Sequence, residues 1–157
     1  YDPYILAVFD FVVASVHSRF KMDSKQMTSR LLNAIQNPYT TFLGHPTGRL
    51  LLGRKGYDFD WDEIIKQAIK YRVAIELNAN PQRLDLDWRM GEVIAESGVS
   101  ICINPDAHSA EGLADTIFGE WMAEKAGILS NQILNRMSVA EMEKYLWDRK
   151  KYRKSVL

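Results

Sequence analysis

Apolar residues fall in short extended blocks along the chain, and between the blocks they recur at helical spacing. The first extended block is residues 9–16, where Val12, Val13 and Val16 favour a strand, and His17, Ser18 and Arg19 follow it. Met27, Leu31, Leu32 and Ile35 then recur every three or four positions, which predicts a helix over residues 23–36. A second strand over residues 39–43 ends at Gly44-His45-Pro46, and a long loop with Gly48, Gly53, Gly56, Arg49, Arg54 and Lys55 covers residues 47–58. Asp60 with Glu63 three positions on reads as a capping box, opening a helix over residues 60–71. A third strand over residues 73–77 ends at Asn78-Ala79-Asn80-Pro81, and a helix capped by Asp85 or Asp87 runs to Ser97, where Gly98 stops it. The fourth strand, residues 99–103, ends at Asn104-Pro105-Asp106-Ala107-His108. Short helices are expected over residues 110–116 and 119–126. Ser138 with Glu141 opens the last helix, which runs into the charged stretch Asp148-Arg149-Lys150-Lys151, read as a solvated end.

Apolar strands alternating with helices predict an α/β fold with a parallel sheet, which collects the strand C-termini on one face, where such folds build their sites. The 157 residues suit one domain or a large piece of one. The chain opens on Tyr-Asp-Pro-Tyr, and the expectation is a piece of a longer protein. Lys plus Arg equals Asp plus Glu, so no global basic field draws nucleic acid, and any such binding needs a local patch. The single cysteine, Cys102, lies in an apolar run and reads as a buried thiol; one cysteine makes no internal disulfide, so a cytoplasmic setting is expected. No apolar run approaches the ~20 residues that span a bilayer.

The candidate chemistry gathers at the strand ends. All three histidines, His17, His45 and His108, fall just past a predicted strand, and Asp106 precedes His108 by two. In extended backbone residues i and i+2 share a side, so Asp106 and His108 are expected to grip one ion or two adjacent ions. Pro46 is expected to keep His45 extended and aim its ring outward. Imidazoles with carboxylates suit Zn, Mn or Fe better than Ca. Arg19, Arg49 and Arg83, with Asn78, are the candidate substrate contacts, since arginines can clamp phosphate bidentately. Taken singly, each of these residues is commonly a surface, turn or salt-bridge residue; it is their placement together that points to a metal site. Glu76 is unusual inside an apolar strand and is expected either to face an interior or to pair with an arginine. Trp61, Trp88, Trp121 and Trp147 lie in predicted helices and read as packing residues.

Five segments in order resemble PHP (polymerase and histidinol phosphatase) domains, most of all those of bacterial X-family DNA polymerases. They are Ala14-Ser15-Val16-His17-Ser18-Arg19-Phe20, Gly44-His45-Pro46-Thr47-Gly48-Arg49-Leu50-Leu51, Glu76-Leu77-Asn78-Ala79-Asn80-Pro81, Arg83-Leu84-Asp85-Leu86 and Asp106-Ala107-His108-Ser109. The resemblance implies the C-terminal portion of a distorted (β/α)7 TIM-like barrel, with the whole chain, residues 1–157, as a partial PHP domain. It implies up to three divalent metals in the complete domain, with His17, His45, Asp106 and His108 as ligands and Asp106 and His108 central to catalysis. It implies a metal-dependent phosphoesterase acting on DNA 3′ ends as a 3′-5′ exonuclease or end-processing module, with polymerase domains and the N-terminal half of the domain in the same parent chain. A stand-alone small-molecule phosphatase and a non-catalytic module stabilising a polymerase are the competing readings.

Two departures stand out. The family's early ligands, a His-x-His or His-x-Asp pair and a glutamate among them, precede the first residue here. Pro105 sits where relatives often have Ser or Thr, which removes one backbone N–H near the site. A partial barrel is expected to leave raw sheet edges and an uncovered apolar interior, so either the natural chain is longer, the favoured reading, or this piece pairs with another copy. This piece alone is expected to bind metal weakly and hydrolyse little.

Overall fold

The computed structural model describes residues 1–156; Leu157, the last residue of the expected 1–157 unit, lies outside them. The chain runs α1 (Pro3–Ala7), β1 (Val13–Ser15), α2 (Ser24–Gln36), β2 (Phe42–Gly44), α3 (Trp61–Lys70), β3 (Ala74–Asn78), α4 (Gly91–Ser97), β4 (Ile101–Asn104), α5 (Thr116–Lys125) and α6 (Val139–Val156), with short 3-10 turns before α4, before α5 and after it. The four strands form one parallel sheet in sequential order β1-β2-β3-β4. This is the α/β arrangement the alternating pattern predicts.

The helix starts follow local chemistry. The Asp23 carboxylate accepts the Gln26 N–H at 2.8 Å, and Asp60 accepts the Glu63 N–H at 3.0 Å. The expected capping box at α3 is only half made: the Asp60 N–H donates to the Thr28 hydroxyl, so the cap ties α3 to α2. Ser138 and Glu141 do form the reciprocal box. Asp87 caps the turn before α4, and Gly98 ends α4 in the left-handed region at φ 72°.

Observed strands start later than the apolar runs and extend into polar residues. Ser15 aligns with Gly44 and Asn78 with Asn104, because backbone pairing continues where side chains turn polar. Residues 9–12 drop out of the first expected strand.

The two faces of the sheet differ. Val16, Leu43, Ile75, Leu77, Ile101 and Ile103 pack beneath α2 to α5 with Met27, Leu31, Ile35, Ile64 and Ile94. Each such side chain stabilises the fold by roughly 1.5–3 kcal/mol. A Cβ on Gly119 would meet Ile103 at 2.4 Å and Ala79 at 2.7 Å, so α5 lies directly on β3 and β4. On the opposite face Phe42, Ala74, Cys102 and Leu134 are covered by Met137, Met142 and Tyr145.

Two expectations about a partial barrel are corrected in part, since β1, at the other end of the sheet, pairs only with β2 among the described strands. The apolar side that would be bare in a partial barrel is covered along its lower part by the approach to α6 and by α6 itself. The outer edge of β4 is also not raw: Ile133 pairs with Ile101, and Asn135 bonds the backbone of Ile103. The stretch read as a solvated end, Asp148 to Lys151, is helical and holds a buried guanidinium, Arg149, with a second, Arg153, two residues beyond it. Three of the four tryptophans, Trp88, Trp121 and Trp147, are exposed, and only Trp61 packs against the core. Cys102 is buried as expected, and burial, then the Glu76 charge, push its thiol up to about 11. No helix among the described residues is long and apolar enough to cross a membrane.

Candidate metal and phosphate site

Parallel pairing brings the C-terminal ends of β1 to β4 together, and with them His17, His45, Glu76, Asn78, Asn104 and Asp106. The His17 and His45 rings meet edge to face with centroids 5.0 Å apart. His17 is exposed and His45 is buried. His45 does not take the extended backbone expected before Pro46: its φ is 28°. Its N–H donates to Glu76 Oε2 at 2.5 Å, which compensates a conformation that ordinary side chains avoid. Burial, reinforced by the Arg83 charge, lowers the His45 pKa and favours the neutral imidazole. The buried Nδ1 of that ring has no hydrogen-bond partner.

Asp106 also departs from extended backbone, with φ 52°, so it and His108 do not project side by side as expected. The Asp106 carboxylate instead pairs with Arg83, Oδ2 to Nε 3.2 Å. The exposed His108 ring turns back on its own segment, with Nδ1 2.7 Å from the Asp106 carbonyl oxygen. In the tautomer that donates there, Nε2 stays free to act as a ligand.

The proposed substrate contacts separate into two kinds. Arg83 keeps a buried Nη1 without a partner beside its Asp106 pair, and Arg19 is exposed with φ 53°. Arg49 is committed elsewhere: Nη1 donates to Asp87 at 2.6 Å, Nε to the Arg83 carbonyl at 2.9 Å and Nη2 to the Leu84 carbonyl. Asn78 is fully buried, donates Nδ2 to Glu76 and accepts the Asn80 N–H on Oδ1, so both ends of its amide are engaged.

Glu76 and Asp85 are the buried carboxylates beneath this rim. Glu76 takes neither an arginine nor any other ion-pair partner among the described residues; Asn78 Nδ2 and Asn104 Nδ2 donate to it at 3.1 and 3.0 Å. Burial raises its pKa against these two donors and the His45 N–H. Asp85, read from sequence as a possible cap, is instead wholly buried and accepts the Thr47 N–H at 3.1 Å, with burial pushing its carboxyl up to about 6. The signal for Glu76 was legible as a lone charge in an apolar strand. Nothing local marks Asn104 as its partner, because only sheet register aligns residues 78 and 104.

Among the described residues no group of three or more His, Cys, Asp and Glu side chains converges tightly enough to hold an ion alone. The donor types nevertheless fit a divalent transition metal as part of a shell. A neutral buried imidazole with an unpartnered ring nitrogen, a second imidazole against it and a nearby carboxylate are what such an ion takes.

No family model matches the chain. Over 93% of its length it is 40% identical to 26% of the DNA polymerase/3′-5′ exonuclease PolX of Bacillus subtilis. It is 27% identical, over 94% of its length, to 61% of a protein named a probable phosphatase in a Thermoanaerobacter species. It is 30% identical, over 87% of its length, to 56% of a probable phosphatase of Photobacterium profundum. The chain thus spans about a quarter of the polymerase and less than two thirds of either phosphatase.

Proposed function

We propose, from the premise that this chain is the C-terminal part of a PHP domain most like that of bacterial X-family DNA polymerases, that it supplies half of a metal-dependent phosphoesterase site. The observation that carries the reading is the His17–His45 ring pair, with an unpartnered buried nitrogen on His45, at the same sheet end as Asp106 and Arg83. In the complete domain these strands would belong to a distorted (β/α)7 barrel closed by upstream strands. His17, His45, Asp106 and His108 would hold Zn, Mn or Fe ions there. A bound ion supplies Lewis acidity toward a phosphoryl oxygen and lowers the pKa of water.

The chain's own residues prepare that chemistry. Burial and the neighbouring Arg83 keep His45 neutral, the form that ligates. Arg83 holds Asp106 and keeps Nη1 for a phosphate oxygen, and Arg19 offers a second cation on the exposed rim. The substrate favoured by the polymerase likeness is a DNA 3′ end, cleaved in the 3′-5′ direction. The phosphatase relatives favour a second reading, a small phosphoester, and the chain covers more of their length than of the polymerase's.

The test is Mn²⁺-dependent hydrolysis by the full-length parent, beside its His108→Ala and Asp106→Ala variants, on a DNA 3′ end and on a small phosphoester. Loss of DNA cleavage in both variants is the expected result. Equal cleavage in variants and parent would remove the ligand assignment, and cleavage of the small phosphoester alone would transfer the assignment to the phosphatase reading.

A further inference from the structure

The carboxylate of Glu76 sits where three neighbouring strand ends meet. Oε2 accepts the backbone N–H of His45 at the end of β2 and the Nδ2–H of Asn78 at the end of its own strand, at 2.5 and 3.1 Å. Oε1 accepts the Nδ2–H of Asn104 at the end of β4, at 3.0 Å. Asn104 is itself held from behind, its Oδ1 accepting from the Cys102 thiol at 3.2 Å. The node is closely built on the β1 side as well: a Cβ on Gly44 would lie 2.4 Å from Ser15 Oγ and 3.6 Å from Glu76 Oε2.

We propose that Glu76 is a positioning residue for the metal site, acting through His45. The proposal rests on the metal-dependent phosphoesterase reading above. Two features support it independently of the family likeness. His45 is a non-glycine residue at φ 28°, and the bond to Glu76 is the one its N–H makes in that conformation. The direction of its ring therefore depends on the acceptor. Glu76 is also 5% exposed and forms no ion pair among the described residues, a costly condition for a carboxylate. A cation held at the His17 and His45 rings would be the positive charge this node lacks. Partners that orient a ligating ring commonly set metal affinity by 10–100-fold, and Glu76 orients His45 through its backbone N–H rather than through its ring.

The measurement is Mn²⁺ binding to the full-length protein, read as free Mn²⁺ by electron paramagnetic resonance, together with the melting temperature of the metal-free protein. Glu76→Gln preserves shape but removes the charge, and with it the strength of the acceptor that holds the His45 N–H, since a carboxylate accepts about twice as strongly as a neutral amide. Its Mn²⁺ dissociation constant is expected to rise tenfold or more, with no fall in the metal-free melting temperature. Glu76→Asp keeps the charge and is expected to recover part of the affinity. Unchanged affinity in Glu76→Gln, alongside loss in His45→Ala, would overturn the positioning role and leave the metal-site reading standing. A loss of affinity matched by a fall in metal-free melting temperature, equal in Gln and Asp variants, would assign Glu76 to the fold alone. Wild-type Mn²⁺ binding in His45→Ala and Asp106→Ala would overturn the metal-site reading and this proposal with it. Should Glu76→Gln fail to fold, Asn104→Ala removes one arm of the node at a half-buried position. Several-fold weaker Mn²⁺ binding there supports the proposal, and unchanged binding overturns it.

Discussion

Asn135 holds both backbone groups of Ile103: its Nδ2 donates to the Ile103 carbonyl at 2.8 Å and its Oδ1 accepts the Ile103 N–H at 2.7 Å. A side-chain amide thereby does at the outer edge of β4 what a neighbouring strand would do. An edge left unpaired is a template for association with another chain. Asn135→Ala should cost about 2 kcal/mol, since two hydrogen bonds are lost at a buried residue. Urea unfolding gives the value, and light scattering should show greater self-association. A stability change within error of zero would mean that water or the turn backbone replaces the amide.

Arg153 gathers two helix ends at once. Its Nη1 donates to the carbonyls of Ile35 and Tyr71 at 3.0 and 3.1 Å, and its Nη2 donates to Gln36 at 2.9 Å and to Asn37. These are carbonyls at the C-terminal ends of α2 and α3, where a cation is favoured by the helix dipole. Arg153→Met keeps much of the buried stem and strips the donors. It should destabilise the chain by roughly 2–4 kcal/mol, whereas Lys150→Met on the exposed side should change stability by less than about 0.5 kcal/mol. Equal effects from the two would refute the capping role.

Asp85 gives the chain a pH dependence of definite sign. Burial pushes its carboxyl up to about 6 from an ordinary 3.8, so between those values the folded chain binds more protons than the unfolded one. Its contribution is present in full below about pH 4 and is lost as pH rises through about 6, an effect on the order of 3 kcal/mol. In Asp85→Asn that loss is absent. The stability of the variant relative to wild type should therefore increase between pH 4 and pH 7, as measured by denaturant titration at each pH. A constant difference across the range would show that Asp85 titrates normally.

The Cys102 thiol should be nearly inert in the folded chain. With its pKa near 11 the thiolate fraction at pH 8 is about 10⁻³, against roughly a quarter for an ordinary cysteine. Alkylation by iodoacetamide should be at least 100-fold slower in buffer than in urea. Comparable rates would mean that β4 opens readily.

The isolated 157-residue chain should bind Mn²⁺ weakly and hydrolyse phosphoesters poorly, because no three described ligands converge on one point. Isothermal titration on the monomeric chain measures this directly. Tight binding of three ions per monomer would contradict it.

Much of this protein was determined by local chemistry alone. The apolar spacing of Met27, Leu31 and Ile35, the caps at Asp60 and Ser138, and the stop at Gly98 act within a few residues, and each is found where the sequence places it. The gathering of histidines past strand ends was legible for the same reason: once the strands are parallel, chain position becomes spatial position. Tertiary structure decided what depends on contacts between distant residues. Asp87 rather than Asp85 caps the turn before α4, because Asp85 is drawn beneath Thr47. Arg49 turned to Asp87, and Arg149 and Arg153 turned inward, because carbonyls and a carboxylate far away in sequence offered them partners. His45 and Asp106 left the extended backbone expected of them when Glu76 and Arg83 supplied contacts across strands. A pattern of polar and apolar positions specifies which face a residue takes, whereas the partner of a buried charge is set by register and packing between strands.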